Sequence, residues 1–194
     1  MKTIGITGGI GSGKTTVCKI FELLGAPVFY ADEEAKKLYD DKKISTKVIR
    51  LVGKKVLGKD GEIDKKKLAG IVFSDKRLLT KLNGIIHPVV QKKFGVWKKL
   101  QKGKKYVIKE AAIMIESGSH KDIDILVNIK SPKELKIKRL LIRNNTSKQD
   151  IETRMKEQIS DKEREKYSDA VILNDDKHSL IEQVMKLHAK ILAK

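Results

Sequence analysis

The run Gly8-Gly9-Ile10-Gly11-Ser12-Gly13-Lys14-Thr15 fits the spacing G-x-x-x-x-G-K-[ST], and that spacing carries a definite chemistry. Glycines let the backbone fold around an anion so that several N–H groups converge on it, and a helix opening at the end of the loop adds its positive pole. The lysine reaches the outer phosphates of a nucleoside triphosphate, and the hydroxyl that follows it ligates Mg²⁺. The run therefore predicts a nucleoside triphosphate site with Lys14 on the phosphates and Thr15 on the metal. Its flanks are the ones such a loop requires. Ile4-Gly5-Ile6-Thr7 reads as a buried strand, Val17, Ile20, Phe21 and Leu24 recur at helical spacing, and Gly25 stops that helix.

A second candidate is Asp32, which follows the apolar run Val28-Phe29-Tyr30-Ala31. In an open parallel sheet the C-terminal ends of the strands line the ligand crevice, so this carboxylate is expected to face the bound phosphates. Two roles fit it. A carboxylate there orients an alcohol and accepts its proton during phosphoryl transfer, and Asp is also a favoured cap for the helix expected over Glu33 to Tyr39.

Those residues need a frame. Buried-strand patterns recur at 3–7, 27–30, 106–109, 125–129 and 170–173, with helical patterns between them, which predicts a parallel sheet covered on both faces. Leu180, Ile181, Val184, Leu187 and Ile191 form the apolar stripe of a last helix. The stretch 31–102 has no strand pattern and reads as short helices broken at Gly53, at Gly58 to Gly61 and at His87-Pro88. It is too long for a simple crossover and is expected to be a helical insertion. A second departure, 139–165, is highly charged, with a helix break at Asn144-Asn145-Thr146-Ser147. The expected architecture is α/β: a three-layer α/β/α P-loop kinase with a five-stranded parallel sheet. Its core is 1–30, 103–138 and 166–194, its helical acceptor-binding insertion 31–102 and its helical lid 139–165.

Composition narrows the partners. The chain has 194 residues, 40% of them hydrophobic, which suffices for one sizeable core. No run approaches the length of a membrane span and no signal-peptide pattern opens the chain, so a soluble, cytoplasmic protein is expected. The lone Cys18 reads as a reduced packing residue. The formal charge of +18 comes almost wholly from lysine: among 43 basic residues only Arg50, Arg77, Arg139, Arg143, Arg154 and Arg164 are arginine. Guanine readout leans on the arginine fork, and single-strand binding on interleaved aromatics. Neither pattern is present, and no nucleic-acid partner is expected. The guanine motif N-K-x-D of GTPases is also missing from the sequence.

The whole pattern resembles the dephospho-CoA kinase family. Ile6 to Thr16 is similar to that family's T-G-G-I-G-S-G-K-[ST]-T, including the paired glycines and the preceding threonine. Tyr30-Ala31-Asp32 matches its D-A-D at the second Asp, Leu82-Asn83 through Ile86-His87-Pro88 resembles L-N-x-[IL]-x-H-P, and Glu110 to Glu116 resembles D-x-P-L-L-[FY]-E. Three positions depart: Tyr30 and Glu110 stand where the family has Asp, and Ala112 where it has Pro. Glu110 keeps a carboxylate with a longer reach.

The resemblance implies transfer of the ATP γ-phosphoryl to the ribose 3′-hydroxyl of 3′-dephospho-CoA, giving coenzyme A and ADP, with Mg²⁺. Gly11, Ser12, Gly13, Lys14, Thr15 and Thr16 would hold ATP and metal, with Glu110 contacting the metal directly or through water. Asp32 would act on the hydroxyl, while Thr7, His87 and Glu116 fall on acceptor-side motifs. Arg139 and Arg143, four apart on the helix expected over Lys133 to Arg143, are similar in placement to lid arginines. Arg154, with Gln158 one turn on, is a further lid candidate. Asn174 is placed to approach the adenine. His87 also fits a structural turn before Pro88, Glu116 a helix cap or an ion pair, and Asn174 a turn. The expected state is a monomer or weak homo-oligomer. The rival readings are a nucleoside monophosphate kinase, which should carry more arginines in the insertion, and a nucleic-acid-binding P-loop ATPase.

Overall fold

The computed structural model describes residues 1–144 and 147–193. Five parallel strands form one sheet in the order β2-β3-β1-β4-β5: β1 (Lys2–Thr7), β2 (Val28–Tyr30), β3 (Tyr106–Glu110), β4 (Ile125–Lys130) and β5 (Ala170–Leu173). All five lie where the apolar runs predict them, with ends shifted by at most one residue. Along β1 the side chains alternate. Ile4 and Ile6 enter a cluster with Val17, Cys18, Phe21, Ile108, Val127, Ile129, Ile172, Val184 and Ile191, which seats α1 (Lys14–Leu23) and α9 (Leu180–Leu192) on one face. Gly5 points to the other face, where a Cβ would meet Met114, Ile123 and Leu126 within 3 Å. Helices on both faces of a parallel sheet make the three-layer α/β/α arrangement. In α9 the expected stripe holds at Leu180, Val184, Leu187 and Ile191, but Ile181 is 59% exposed because it falls on the outer side of the turn. Cys18 is free and fully buried beneath α1.

The chain divides into two compact units, Met1–Tyr30 with Gln101–Lys194, and Ala31–Leu100. The second unit is helical: α2 (Ala31–Lys37), α3 (Lys42–Val52), α4 (Lys65–Phe73) and α5 (Lys76–Leu100). Asp41 and Asp64 cap α3 and α4 by accepting from the second and third backbone N–H groups beyond them, and Gly53 ends α3 at φ 89°. One expectation fails here. His87-Pro88 does not break a helix, because α5 runs through Pro88 for 25 residues. Proline removes one helical N–H and crowds the carbonyl four residues back, which belongs to Gly84, a residue with no side chain and open space around it. Leu82, Ile86, Val90 and Phe94, four apart and all buried, pack the helix on both sides of the proline. That continuous apolar stripe outweighs the local penalty of about 3 kcal/mol.

The charged segment of the first unit contains α6 (Lys133–Asn144), α7 (Lys148–Lys156) and α8 (Asp161–Glu165). Asn145 and Thr146, in the expected helix break, lie outside the described residues; α7 starts beyond them with Ser147 as its cap. Among the described residues no helix is long and apolar enough to cross a membrane.

Candidate active site

β1 ends at Thr7 and α1 begins at Lys14, so the glycine run forms the whole connection at the C-terminal edge of the sheet. Gly11 and Gly13 are among the loop positions held in a shape that only glycine tolerates. Gly11 has φ 79°, and a Cβ there would lie 2.8 Å from the Lys136 carbonyl oxygen; Gly13 has φ 94°, and a Cβ there would collide with Asn174 Nδ2. Gly13 is the N-cap of α1, with no side-chain cap and no acidic residue in the first turn, so the opening amides of the helix are left for a ligand. Ser12 Oγ is buried and has no hydrogen-bond partner among the described residues, an orphan polar atom inside the cradle.

Lys14 folds back into the loop. Its Nζ donates to the Gly8 carbonyl at 3.0 Å and reaches the Gly9 carbonyl at 3.5 Å, and it lies 3.9 Å from Glu110 Oε1 at the end of β3. The structure thus brings Lys14 and Glu110 together in a buried pair beside the loop. Thr15 and Thr16, in the first turn of α1, are exposed. Glu110 also contributes to raising the Cys18 thiol and the Tyr30 phenol, although burial is the larger cause for both.

Asn174, directly after β5, is buried and bridges two elements. Its Nδ2 donates to the Ser12 carbonyl at 2.8 Å, and its Oδ1 accepts from Arg139 at 3.2 Å. Arg139 also donates to Ser131 Oγ at 3.0 Å and to Asp176 Oδ1 at 2.6 Å. The guanidinium is thereby committed to the Asn174–Asp176 loop. Arg143, one turn on, is exposed in the last turn of α6, and Arg154 is exposed on α7.

Thr7 is fully buried, and its hydroxyl donates to the Ala112 carbonyl at 3.5 Å. Glu116 Oε1 accepts from the Ile159 amide at 3.2 Å and lies 3.8 Å from Arg164. In the helical unit Asp32 is the second residue of α2, inside its first turn rather than before it, so it is not the N-cap. His87 sits half-buried in α5.

Four residues near the loop carry contacts that composition and spacing left unread. Gln158 Oε1 accepts from the Ile10 amide at 2.8 Å, Lys136 Nζ donates to Asp161 Oδ2 at 2.8 Å, and Arg164, fully buried, donates to Asp161 Oδ1 at 2.7 Å. In so lysine-rich a chain Lys136 looks like any solvated lysine. The one signal was the scarcity of arginine, which makes Arg164 with Asp161 three residues before it stand out.

The dephospho-CoA kinase family model matches residues 2–179. The chain belongs to the dephospho-CoA kinase family. It is 38% identical over 192 residues to a dephospho-CoA kinase of Bacteroides fragilis, covering 98% of this chain and 93% of that one. It is 37% identical to the enzyme of Aquifex aeolicus, covering 98% and 96%. Among solved structures, the dephospho-CoA kinase of Campylobacter jejuni superposes with a TM-score of 0.69 at 28% identity, over 98% of each chain. Protein TT1252 of Thermus thermophilus gives 0.84 at 28% identity, over 99% and 96%. A shikimate kinase of Acinetobacter baumannii, at 17% identity and a TM-score of 0.53, shares the fold. Membership makes the chain an ATP-using P-loop kinase.

Proposed function

We propose that this kinase transfers the γ-phosphoryl group of ATP to the ribose 3′-hydroxyl of 3′-dephospho-CoA, giving coenzyme A and ADP. The observation that carries the reading is the preformed phosphate cradle, with Lys14 and Glu110 paired beside it, in a chain whose family match spans residues 2–179. Gly11, Ser12, Gly13, Lys14, Thr15 and Thr16 hold the triphosphate through amides, ammonium and hydroxyls. Asp32 takes the proton of the acceptor hydroxyl as its oxygen bonds to the γ-phosphorus and the bond to the β-phosphate oxygen breaks, releasing ADP.

An oxygen-only donor set, the Thr15 hydroxyl and the Glu110 carboxylate, fits Mg²⁺, an ion carried mostly by phosphates and water. Among the described residues no three His, Cys, Asp or Glu side chains cluster to hold a metal of their own. When bound, Mg²⁺ neutralises charge developing on the phosphate oxygens. Glu110, beside Lys14, would hold the metal directly or through a water.

Arg143 supplies positive charge to the transferring group from the α6–α7 lid. The contacts of Arg139 with Asn174 and Asp176 favour a part at the nucleoside end of ATP for both Arg139 and Asn174. His87 serves the acceptor side, and Thr7 and Glu116, each bonded within the core unit, shape that side by positioning backbone. Measuring ADP release with dephospho-CoA, AMP and duplex DNA tests the assignment. Turnover that needs dephospho-CoA is expected, and dependence on AMP or DNA instead would overturn it.

A further inference from the structure

The α7–α8 corner is built at high electrostatic cost for a surface turn. The Ile159 peptide is gripped on both sides: its N–H donates to Glu116 Oε1 at 3.2 Å, and its carbonyl accepts from Arg164 at 3.0 Å. Arg164 has no exposed surface, and its partner Asp161 is also paired to Lys136, whose side chain is 8% exposed. Burying charges this way is seldom a source of stability, since desolvation offsets most of the attraction. It does fix geometry, and what it fixes is Gln158, the residue before Ile159.

Gln158 is aimed at the phosphate loop. The Ile10 amide can only donate, so the carboxamide oxygen must face it, at 2.8 Å. A Cβ at Gly9 would lie 3.4 Å from Lys136 Nζ, 3.7 Å from Asp161 Oδ1 and 3.8 Å from Gln158 Oε1, so all three converge on the first turn of the loop. The Lys14 ammonium, which serves the outer phosphates, rests against the carbonyls of Gly8 and Gly9 on that same turn. Anchoring its oxygen there keeps the carboxamide nitrogen of Gln158 within one carboxamide's width of the Gly9-Ile10 turn. That nitrogen carries two N–H donors.

We propose that Gln158 is a catalytic residue: anchored through Oε1 to the Ile10 amide, it donates from Nε2 to an oxygen of the ATP γ-phosphoryl group and so distinguishes ATP from ADP at the cradle. Lys136, Asp161, Arg164 and Glu116 are positioning residues that present it. The proposal rests on the kinase reading above and deepens it.

The test compares Gln158→Glu and Gln158→Ala with the unaltered chain, measuring affinity for ADP and for the β,γ-imido analogue of ATP by calorimetry, and turnover with dephospho-CoA. Glutamate still accepts from Ile10 but has nothing to donate, so it separates anchoring from phosphate contact. In both variants the affinity for the ATP analogue is expected to fall about tenfold or more, the range of a hydrogen bond to a charged group, with kcat falling alongside. ADP affinity stays within about twofold, because ADP lacks the group that Gln158 contacts. Analogue binding and turnover unchanged in Gln158→Glu would overturn the proposal. So would an equal loss for ADP and the analogue, since that is the signature of a residue that only shapes the loop. Thermal unfolding of each variant keeps loss of fold from passing as loss of contact. If the unaltered chain bound neither nucleotide, the kinase reading itself would fall, and this proposal with it.

Discussion

Lys14 Nζ stands 3.9 Å from Glu110 Oε1, with a tenth or less of either side chain exposed, while the same ammonium donates to the carbonyl of Gly8 in its own loop. The ammonium proposed to meet the outer phosphates therefore lies inside the loop, against its own carbonyls. Lys14→Ala is expected to lower turnover on the order of 10³-fold, the scale of removing one charge that favours the transition state. Calorimetry should still record a cooperative unfolding transition, since the sheet packing on Ile4, Ile6, Val127 and Ile129 is untouched.

Asp32 lies within the first turn of α2, where its charge favours the helix by under about 1 kcal/mol. Asp32→Asn should leave the melting temperature and ATP affinity nearly unchanged while kcat and kcat/KM for dephospho-CoA fall together. Full activity in this variant would remove Asp32 from the chemistry.

The lid role proposed for Arg143 and steering by the lysine charge are separable by salt. A basic surface draws in the polyphosphate substrates and is screened by salt, whereas a contact made in a desolvated site is screened much less. Raising ionic strength should weaken kcat/KM for dephospho-CoA more than kcat. Arg143→Ala should lower kcat strongly and keep the relative salt response. A normal kcat would mean that the end of α6 is only a charged surface.

The loop that carries Asn174 has its own pH signature. The Asp175 carboxyl is held down at about 2, first by the His178 backbone N–H and then by the His178 side chain. A depressed carboxylate contributes stability that is complete above its ordinary value of 3.8 and is lost as pH falls toward 2. Carbon-13 titration should place its midpoint near 2. His178→Ala should return it only part of the way, because the main-chain donor remains.

The elements around the phosphate loop were legible because strand, glycine run and helix are written within one short stretch, and the alternation of apolar residues placed every strand. Pro88 misled because its local effect is printed in the sequence, whereas the compensating row Leu82, Ile86, Val90 and Phe94 acts only once α3 and α4 pack on α5. The site was half visible. Lys14 and Glu110 could be named from motifs, but the commitment of Arg139 to Asp176 and the burial of Arg164 depend on contacts across 37 residues and on exclusion of water. Nothing in a lysine-rich sequence distinguishes Lys136 from its solvated neighbours.

Cys18 is the only thiol in the chain and lies fully buried on the inner side of α1, with burial raising its pKa far above the ordinary thiol range. An alkylating reagent can reach it only when α1 lifts from the sheet or the chain unfolds, so the labelling rate is a clock for that opening. A ligand that binds only the docked helix must slow the clock by mass action, roughly a hundredfold at a concentration one hundred times its dissociation constant. The native chain thus carries its own probe of nucleotide occupancy, readable by mass spectrometry without a dye, a mutation or a coupled assay.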